Sequence, residues 1–309
     1  MGQGIVYKST GSWYTVKDAS GVVWNARIKG VFKIDHITST NPLAVGDIVH
    51  FDVETEGENV GIIYKIEDRR NYINRQSPRH KHQHHIIAAN LDQSLLLATM
   101  KNPRTSQGFI DRFLVACEMY HVPALVIFNK ADLYRKRERT DFEEMEAMYK
   151  AVGYTVVLIS VKEDTGIDKV KKLLHQKTTL ISGHSGVGKS SFINAVLPHS
   201  GIRTQDVSGW SGKGQHTTTF AEMYDLPAGG KLIDTPGMRE FGLVDLERTE
   251  LSGYFPEMRQ RLTNCQFNNC LHIAEPGCAV KEAVQQGAIH ENRYISYLSI
   301  LESLQEPQW

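Results

Sequence analysis

The sequence predicts a multidomain protein: an N-terminal all-β barrel, a central α/β unit and a C-terminal, mainly helical unit built around a metal cluster. Three observations predict it. Short runs rich in Val, Ile and aromatic residues, broken by Gly, Asn and Asp, fill the first 68 residues. From Leu91 to Asp234, strand-like and helix-like segments alternate around a glycine-rich loop. Three of the four cysteines then gather beside a histidine near the C-terminal end. A length of 309 residues suits two or three domains, and 41% hydrophobic content can fill their cores.

In residues 1–68, Trp13-Tyr-Thr-Val16, Val22-Val23-Trp24 and Ile48-Val-His-Phe-Asp-Val53 read as short strands. Five strands in that length fit an oligonucleotide-binding (OB) barrel, which holds nucleic acid in a groove with aromatic platforms. Trp13, Tyr14, Trp24 and Phe32 are candidates for stacking on bases, and packing in the barrel core is the competing reading.

Residues 69–85 read as a basic linker, with five Lys or Arg, four histidines and no acid. The whole chain balances 35 basic against 35 acidic residues, so charge is sorted locally. That suits contact with a phosphate backbone, helped by protonated histidines; an ordinary solvated linker is the alternative.

Residues 86–245 form the predicted α/β unit, a largely parallel sheet flanked by helices. Val122-Pro-Ala-Leu-Val-Ile-Phe128 is a buried-strand pattern that delivers Asn129-Lys130-Ala131-Asp132. A carboxylate at Asp132 can accept two hydrogen bonds from the guanine N1–H and amino edge, a donor pair that adenine lacks. Asn129 would tie neighbouring loops together, and Lys130 would cover the ring face. A second strand, Tyr154–Ile159, ends in Ser160-Val161-Lys162, whose backbone can approach the guanine oxygen.

Gly183-His184-Ser185-Gly186-Val187-Gly188-Lys189-Ser190 follows an apolar run and opens onto a helical pattern from Ser191 to Leu197. That context makes it a phosphate-binding loop. Its backbone N–H groups cradle phosphates with help from the helix N-terminus, Lys189 reaches the outer phosphates, and Ser190 is placed on Mg²⁺. Downstream, Leu232-Ile233-Asp234-Thr235-Pro236-Gly237 puts Asp234 on the metal shell and the Gly237 N–H on the terminal phosphate. Between them, Gly214-Gln-His-Thr-Thr-Thr219 offers Thr218 as the second hydroxyl for Mg²⁺. His216 is the candidate for positioning water, against a purely structural role. Met238 stands where many GTPases carry a water-orienting glutamine, so isolated turnover is expected to be slow and an external surface to complete the site.

In residues 246–309, Cys265-x₄-Cys270-x-His272-x₅-Cys278 offers three thiolates and an imidazole, a closed tetrahedral set suited to structural zinc. Disulfides compete, but three clustered cysteines leave one over. Cys117 lies in an apolar helical pattern and reads as core. Val280, Ala283, Val284, Tyr294, Leu298 and Leu301 recur at helical intervals and are expected to pack on the metal lobe.

The order of the motifs is rotated: the base-recognition pair comes first, then the phosphate loop, then Asp234-x-x-Gly237. In this the chain resembles the circularly permuted GTPases, and across its length it is similar to the RsgA (YjeQ-like) family of ribosome small-subunit-dependent GTPases. The resemblance implies an OB barrel, a permuted P-loop GTPase domain and a zinc domain, with the cysteine spacing expected of that family. Some family members carry a histidine shortly after Asp-x-x-Gly; here the nearby polar residue is Asp245, and no role is carried to it. The expected function is GTP hydrolysis stimulated by the small ribosomal subunit and its rRNA, as a nucleotide-dependent checkpoint late in subunit assembly. The alternatives are a nucleotide-gated RNA-binding module with incidental hydrolysis, or a GTPase acting on another RNA partner. GTP is expected to bring the zinc lobe to a new position relative to the barrel. Met1-Gly-Gln-Gly lacks the charged start and apolar run of a leader, and no segment approaches a membrane span, so a cytoplasmic location is expected; a monomer is expected besides.

Overall fold

The computed structural model describes residues 1–29, 42–54, 59–76, 84–198, 221–235, 243 and 246–304. Five strands, β1 (Gly2–Ser9), β2 (Tyr14–Asp18), β3 (Val23–Ile28), β4 (Ile48–Val53) and β5 (Val60–Ile66), follow the order β1-β2-β3-β5-β4, and β4 pairs back onto β1 to close a barrel. Closure leaves no open edge, and alternate residues (Val6, Val16, Val49, Phe51, Ile63) fill the interior. Tyr14 belongs to that interior at 2% exposure, so it is core rather than a base platform. Trp24 packs on Phe51, 5.2 Å between ring centroids, and its indole N–H donates to Asp18 at 2.8 Å. Trp13 alone among the described candidates is exposed; Phe32 lies outside the described residues.

The expected linker is in part a strand pair. β6 (Tyr72–Gln76) and β7 (His84–Ala89) run antiparallel, Ile73 opposite Ala88. Arg69 grips the fully buried Asp47 of the barrel through Nε and Nη2, both at 2.7 Å. Arg70 pairs with Asp92 at 2.8 Å. These two adjacent charges therefore bolt the barrel to the start of the α/β unit, while residues 77–83 lie outside the described residues.

The α/β unit contains β8 (Gln93–Ala98), α1 (Gln107–Met119), β9 (Ala124–Phe128), α2 (Lys136–Ala151), β10 (Thr155–Leu158), α3 (Ile167–Leu174), β11 (Thr178–Ser182), α4 (Lys189–Val196), β12 (Glu222–Asp225) and β13 (Lys231–Asp234). The sheet order is β10-β9-β8-β11-β13-β12, parallel except for β12. Period-two alternation divides its side chains. Leu96, Ala98, Val126 and Phe128 face α1 and α2, whereas Leu95, Leu97, Leu125 and Ile127 face α3 and α4. Both faces are thus covered, as an all-parallel core requires. Five parallel strands end along one rim, and the motif loops leave from four of them, β9, β10, β11 and β13.

At its β12 edge this sheet touches the barrel, with Lys8 of β1 paired to Glu222. Asp225, in the turn end of β12, accepts hydrogen bonds from Tyr7 (2.7 Å), Lys17 (2.5 Å) and Lys231 (3.1 Å), beside a cleft of about 560 Å³. Beyond β13 come α5 (Pro256–Arg259), α6 (Ala279–Gln285) and α7 (Glu291–Ser303). They form a separate core with Val115 of α1.

Candidate guanine-nucleotide site and metal centre

The phosphate loop leaves β11 at Ser182 and enters α4 at Lys189. Two of its glycines are sterically required. A Cβ on Gly183 would stand 2.7 Å from the Leu97 carbonyl oxygen, and one on Gly188, at φ +93°, would stand 2.6 Å from Asn129 Nδ2. Val187 between them is buried and anchors the loop in the core below. Ser190 and Ser191 occupy the first turn of α4, and Ser185 is exposed. Lys189 Nζ lies 3.0 Å from Asp234 Oδ1 and donates to the Thr235 carbonyl at 2.8 Å. The glycine-rich loop and the end of β13 therefore meet.

Asn129 joins three loops through one buried side chain. Its Nδ2 donates to the Val187 carbonyl at 3.0 Å, and its Oδ1 accepts the Val161 N–H at 3.1 Å. A short polar side chain is needed here because the strands place both backbones within hydrogen-bond reach of β9. Lys130 adopts the left-handed conformation, φ +65°, and Nζ donates to the Gly186 carbonyl at 2.7 Å. Burial pushes its ammonium below the usual lysine value, with Asp132 acting in the other direction. Asp132 accepts from Ser160 Oγ at 2.7 Å, and Ala131 N–H donates to the Ile159 carbonyl at 3.1 Å. Lys162 is exposed at the mouth. Residues 129–132, 160–162 and 183–191 are thus gathered with Asp234 on one rim of the sheet.

Two positions at this rim were not singled out from the sequence. The Tyr134 hydroxyl donates to the Asn129 carbonyl at 2.6 Å, and Thr105 Oγ1 lies 2.8 Å from His184 Nε2. Neither belongs to a recognisable motif, because each acts through tertiary contact alone. Thr218, His216 and Gly237, together with Met238 and Asp245, lie outside the described residues.

In the C-terminal unit Cys265, Cys270, His272 and Cys278 converge, their ligand atoms all within 4.8 Å of one another. His272 Nδ1 lies 3.3 Å from Cys278 Sγ and 3.7 Å from Cys265 Sγ. Ligands about 2.0–2.3 Å from a tetrahedral ion stand roughly 3.5–3.8 Å apart, so the set fits a metal of that kind. Burial pushes the His272 ring below the usual imidazole value, toward the neutral form that ligation requires, against the pull of Glu275. The surrounding chain is fixed from outside: Glu275 accepts the backbone N–H groups of Leu271 (2.7 Å), Ile273 (2.8 Å) and Ala274 (3.0 Å). Tyr294 donates to the His272 carbonyl at 2.6 Å and Tyr297 to that of Leu271 at 2.9 Å.

With this geometry in view, a family model described as RsgA GTPase matches residues 66–244. The chain belongs to the RsgA GTPase family. A second model, the RsgA N-terminal domain, matches residues 3–63. A small ribosomal subunit biogenesis GTPase RsgA from Flavobacterium psychrophilum is 50% identical over 300 residues, covering 97% of this chain and 92% of that protein. The corresponding protein from Christiangramia forsetii is 50% identical over 302 residues, covering 97% and 96%. Among solved structures, YjeQ from Thermotoga maritima superposes with a TM-score of 0.81 at 32% identity over 99% of both chains. YloQ, described as a circularly permuted GTPase, gives 0.76 at 30% identity over 100% of this chain and 97% of that one. As an RsgA-family protein the chain is a GTP hydrolase, and the rotated motif order read from its sequence is the permutation of that family.

Proposed function

We propose that this GTPase acts on the assembling small ribosomal subunit as a nucleotide-dependent checkpoint, and that the subunit completes its catalytic site. The observation that carries the reading of the pocket is Asn129, whose buried amide binds the phosphate loop and the Val161 loop together around one rim. Asp132 recognises the guanine edge, Ser160, Val161 and Lys162 line its oxygen, and residues 183–191 cradle the phosphates. Lys189 neutralises outer-phosphate charge. Ser190, Thr218 and Asp234 would hold Mg²⁺, which supplies charge neutralisation across the phosphates being separated. Gly237 senses the terminal phosphate and His216 positions water.

The partner assignment follows the names of the relatives, which are small ribosomal subunit biogenesis GTPases. The barrel and the basic segment after it supply the rRNA-binding surface. Zinc is the ion that three thiolates and one imidazole favour, in a structural role. Residues 1–68, 86–245 and 246–309 serve as the three working units, in a cytoplasmic monomer.

GTP turnover measured alone, with purified small subunits and with large subunits tests this. Slow turnover alone and strong stimulation by small subunits only is expected, abolished in Lys189→Ala. Equal stimulation by both subunits, or none, overturns the partner assignment.

A further inference from the structure

The loop from Thr99 to Ser106, between β8 and α1, contains none of the nucleotide motifs, yet it is tied to both halves of the pocket. On the base side, the Tyr134 hydroxyl bridges the two segments: it donates to the Asn129 carbonyl at 2.6 Å and accepts the Met100 N–H at 2.9 Å. Lys130 Nζ also reaches across to the Asn102 carbonyl. On the phosphate side, Thr105 Oγ1 lies 2.8 Å from His184 Nε2, and a Cβ on Gly186 would stand 3.2 Å from Pro103. Thr105 is itself held rigidly. It is 2% exposed, its hydroxyl accepts the Thr99 N–H at 3.0 Å, and its N–H donates to the Thr99 carbonyl at 2.8 Å.

Both partners of this loop need outside support. The phosphate loop has positive φ at Gly183, Gly186 and Gly188, and the base loop turns through a left-handed Lys130. A left-handed lysine persists only where its surroundings over-determine it, and glycines, to which positive φ costs nothing, need their surroundings to select one of many accessible conformations. Glycines bring no side chains to do so.

We propose that the Thr99–Ser106 loop is a positioning element of the GTPase site. Tyr134 sets the placement of the guanine-recognition loop, Thr105 sets that of the phosphate loop, and together they determine guanine-nucleotide affinity and selectivity. The proposal rests on reading the rim as the nucleotide pocket. Its two contacts have separable consequences. Displacing the Asn129–Asp132 loop weakens recognition of the base edge, whereas displacing the phosphate loop weakens diphosphate binding whatever the base.

Titrations of GDP and IDP into the full-length, metal-loaded protein, alongside thermal melts, decide it. IDP lacks the 2-amino group that Asp132 is placed to bind. Tyr134→Phe removes one oxygen from a buried ring, and is expected to lower GDP affinity roughly tenfold while narrowing the preference for GDP over IDP. Thr105→Val is expected to lower affinity for both roughly tenfold with the preference unchanged, and Thr105→Ser to restore it. A folded Tyr134→Phe or Thr105→Val protein with GDP affinity within about twofold of wild type overturns the proposal. So does a Tyr134→Phe protein that loses GDP and IDP affinity equally, as general loosening would cause. If Thr105→Val does not fold, the Tyr134 arm stands by itself. Failure of the wild-type protein to bind GDP at all defeats the reading of the pocket, and this inference falls with it.

Discussion

Asn129 shows how much chemistry one side chain can organise at the rim. Its amide nitrogen and oxygen are both committed to backbone groups of other loops, at 3.0 and 3.1 Å, in a site that leaves it 2% exposed. Asn129→Ala leaves the Val187 carbonyl and the Val161 N–H without that partner, each costing about 1–3 kcal/mol where water cannot substitute. GDP affinity is expected to fall roughly ten- to a hundredfold, with the melting temperature far less affected because the strands beneath are untouched. Titration calorimetry beside a thermal melt checks this, and an unchanged affinity contradicts it. That such residues would share one rim was legible in the sequence because their motifs are restrictive: only certain groups suit guanine, phosphate or a thiophilic ion, and spacing restricts where they stand. Tyr134 and Thr105 were illegible for the converse reason. Their partners lie in loops distant in sequence, and a tyrosine or threonine of that type has many ordinary places in a fold. Tyr14 stood between these cases, since an aromatic residue on a barrel strand can face either way and here it faces inward.

Individual elements follow the pattern of their own apolar residues. The strands delivering Asn129, Ser160, the phosphate loop and Asp234 all lie within the predicted runs or one to three residues of them. What local pattern could not show is pairing between distant elements. β6 and the first two residues of β7 look like a charged linker because residues 69–85 are dominated by basic and polar residues, and it is the pairing of β6 with β7 that makes them strands. The contact of β1 with β12 is likewise a matter of register, between residues 214 positions apart. That contact is clamped by Asp225. Burial opposes its ionisation, but hydrogen bonds from Lys17, Tyr7 and Lys231 outweigh it and hold the carboxyl at about 2. A carboxyl depressed in the folded state stabilises above its ordinary value near 4, and the contribution is lost as pH falls toward 2. The clamp between the barrel and β12 is therefore expected to be insensitive to pH from 5 to 8 and to weaken below about 4. In Asp225→Asn that acid-induced step should be absent from the exchange rates of β1 and β12 amides, after correction for the intrinsic pH dependence of exchange. An identical acid profile in the variant contradicts the assignment.

Across the whole molecule, the three units are joined by contacts of different kinds, and this decides which of them can shift. Among the described residues the barrel meets the GTPase sheet through one ladder position, the Lys8–Glu222 pair, the Asp225 cluster and the packing of Ile5, Tyr7 and Val45 against the α/β core, with Arg69 and Arg70 bracing the connection. The metal lobe is held by a buried charge. Arg293 of α7 is 0% exposed, with Asp111 of α1 at 2.5 Å and Glu257 of α5 at 2.6 Å, and its guanidinium lies 4.6 Å from the Phe255 ring centroid. Tyr149 completes the group by donating to Asp111 at 2.8 Å. No motif announces this cluster, because Arg, Asp and Glu are ordinary surface residues until three elements converge on them. Such a lock ties the metal lobe to α1, so a nucleotide-driven rearrangement between lobe and barrel is expected to take place at the barrel's boundary, with the lobe moving as part of the GTPase unit. Arg293→Met should expose the strength of the lock. Removing the cation leaves two buried carboxylates facing each other, a loss of about 3–5 kcal/mol. Arg293→Lys is expected to recover little of it, since an ammonium cannot reproduce the planar fork that meets both acids. Thermal melts, with proteolysis and amide exchange on residues 246–304, should show the lobe released in both variants. If Arg293→Met melts with the wild type and its α7 amides exchange no faster, the lobe is held by apolar packing alone, and its motion relative to the GTPase sheet becomes as free as that of the barrel.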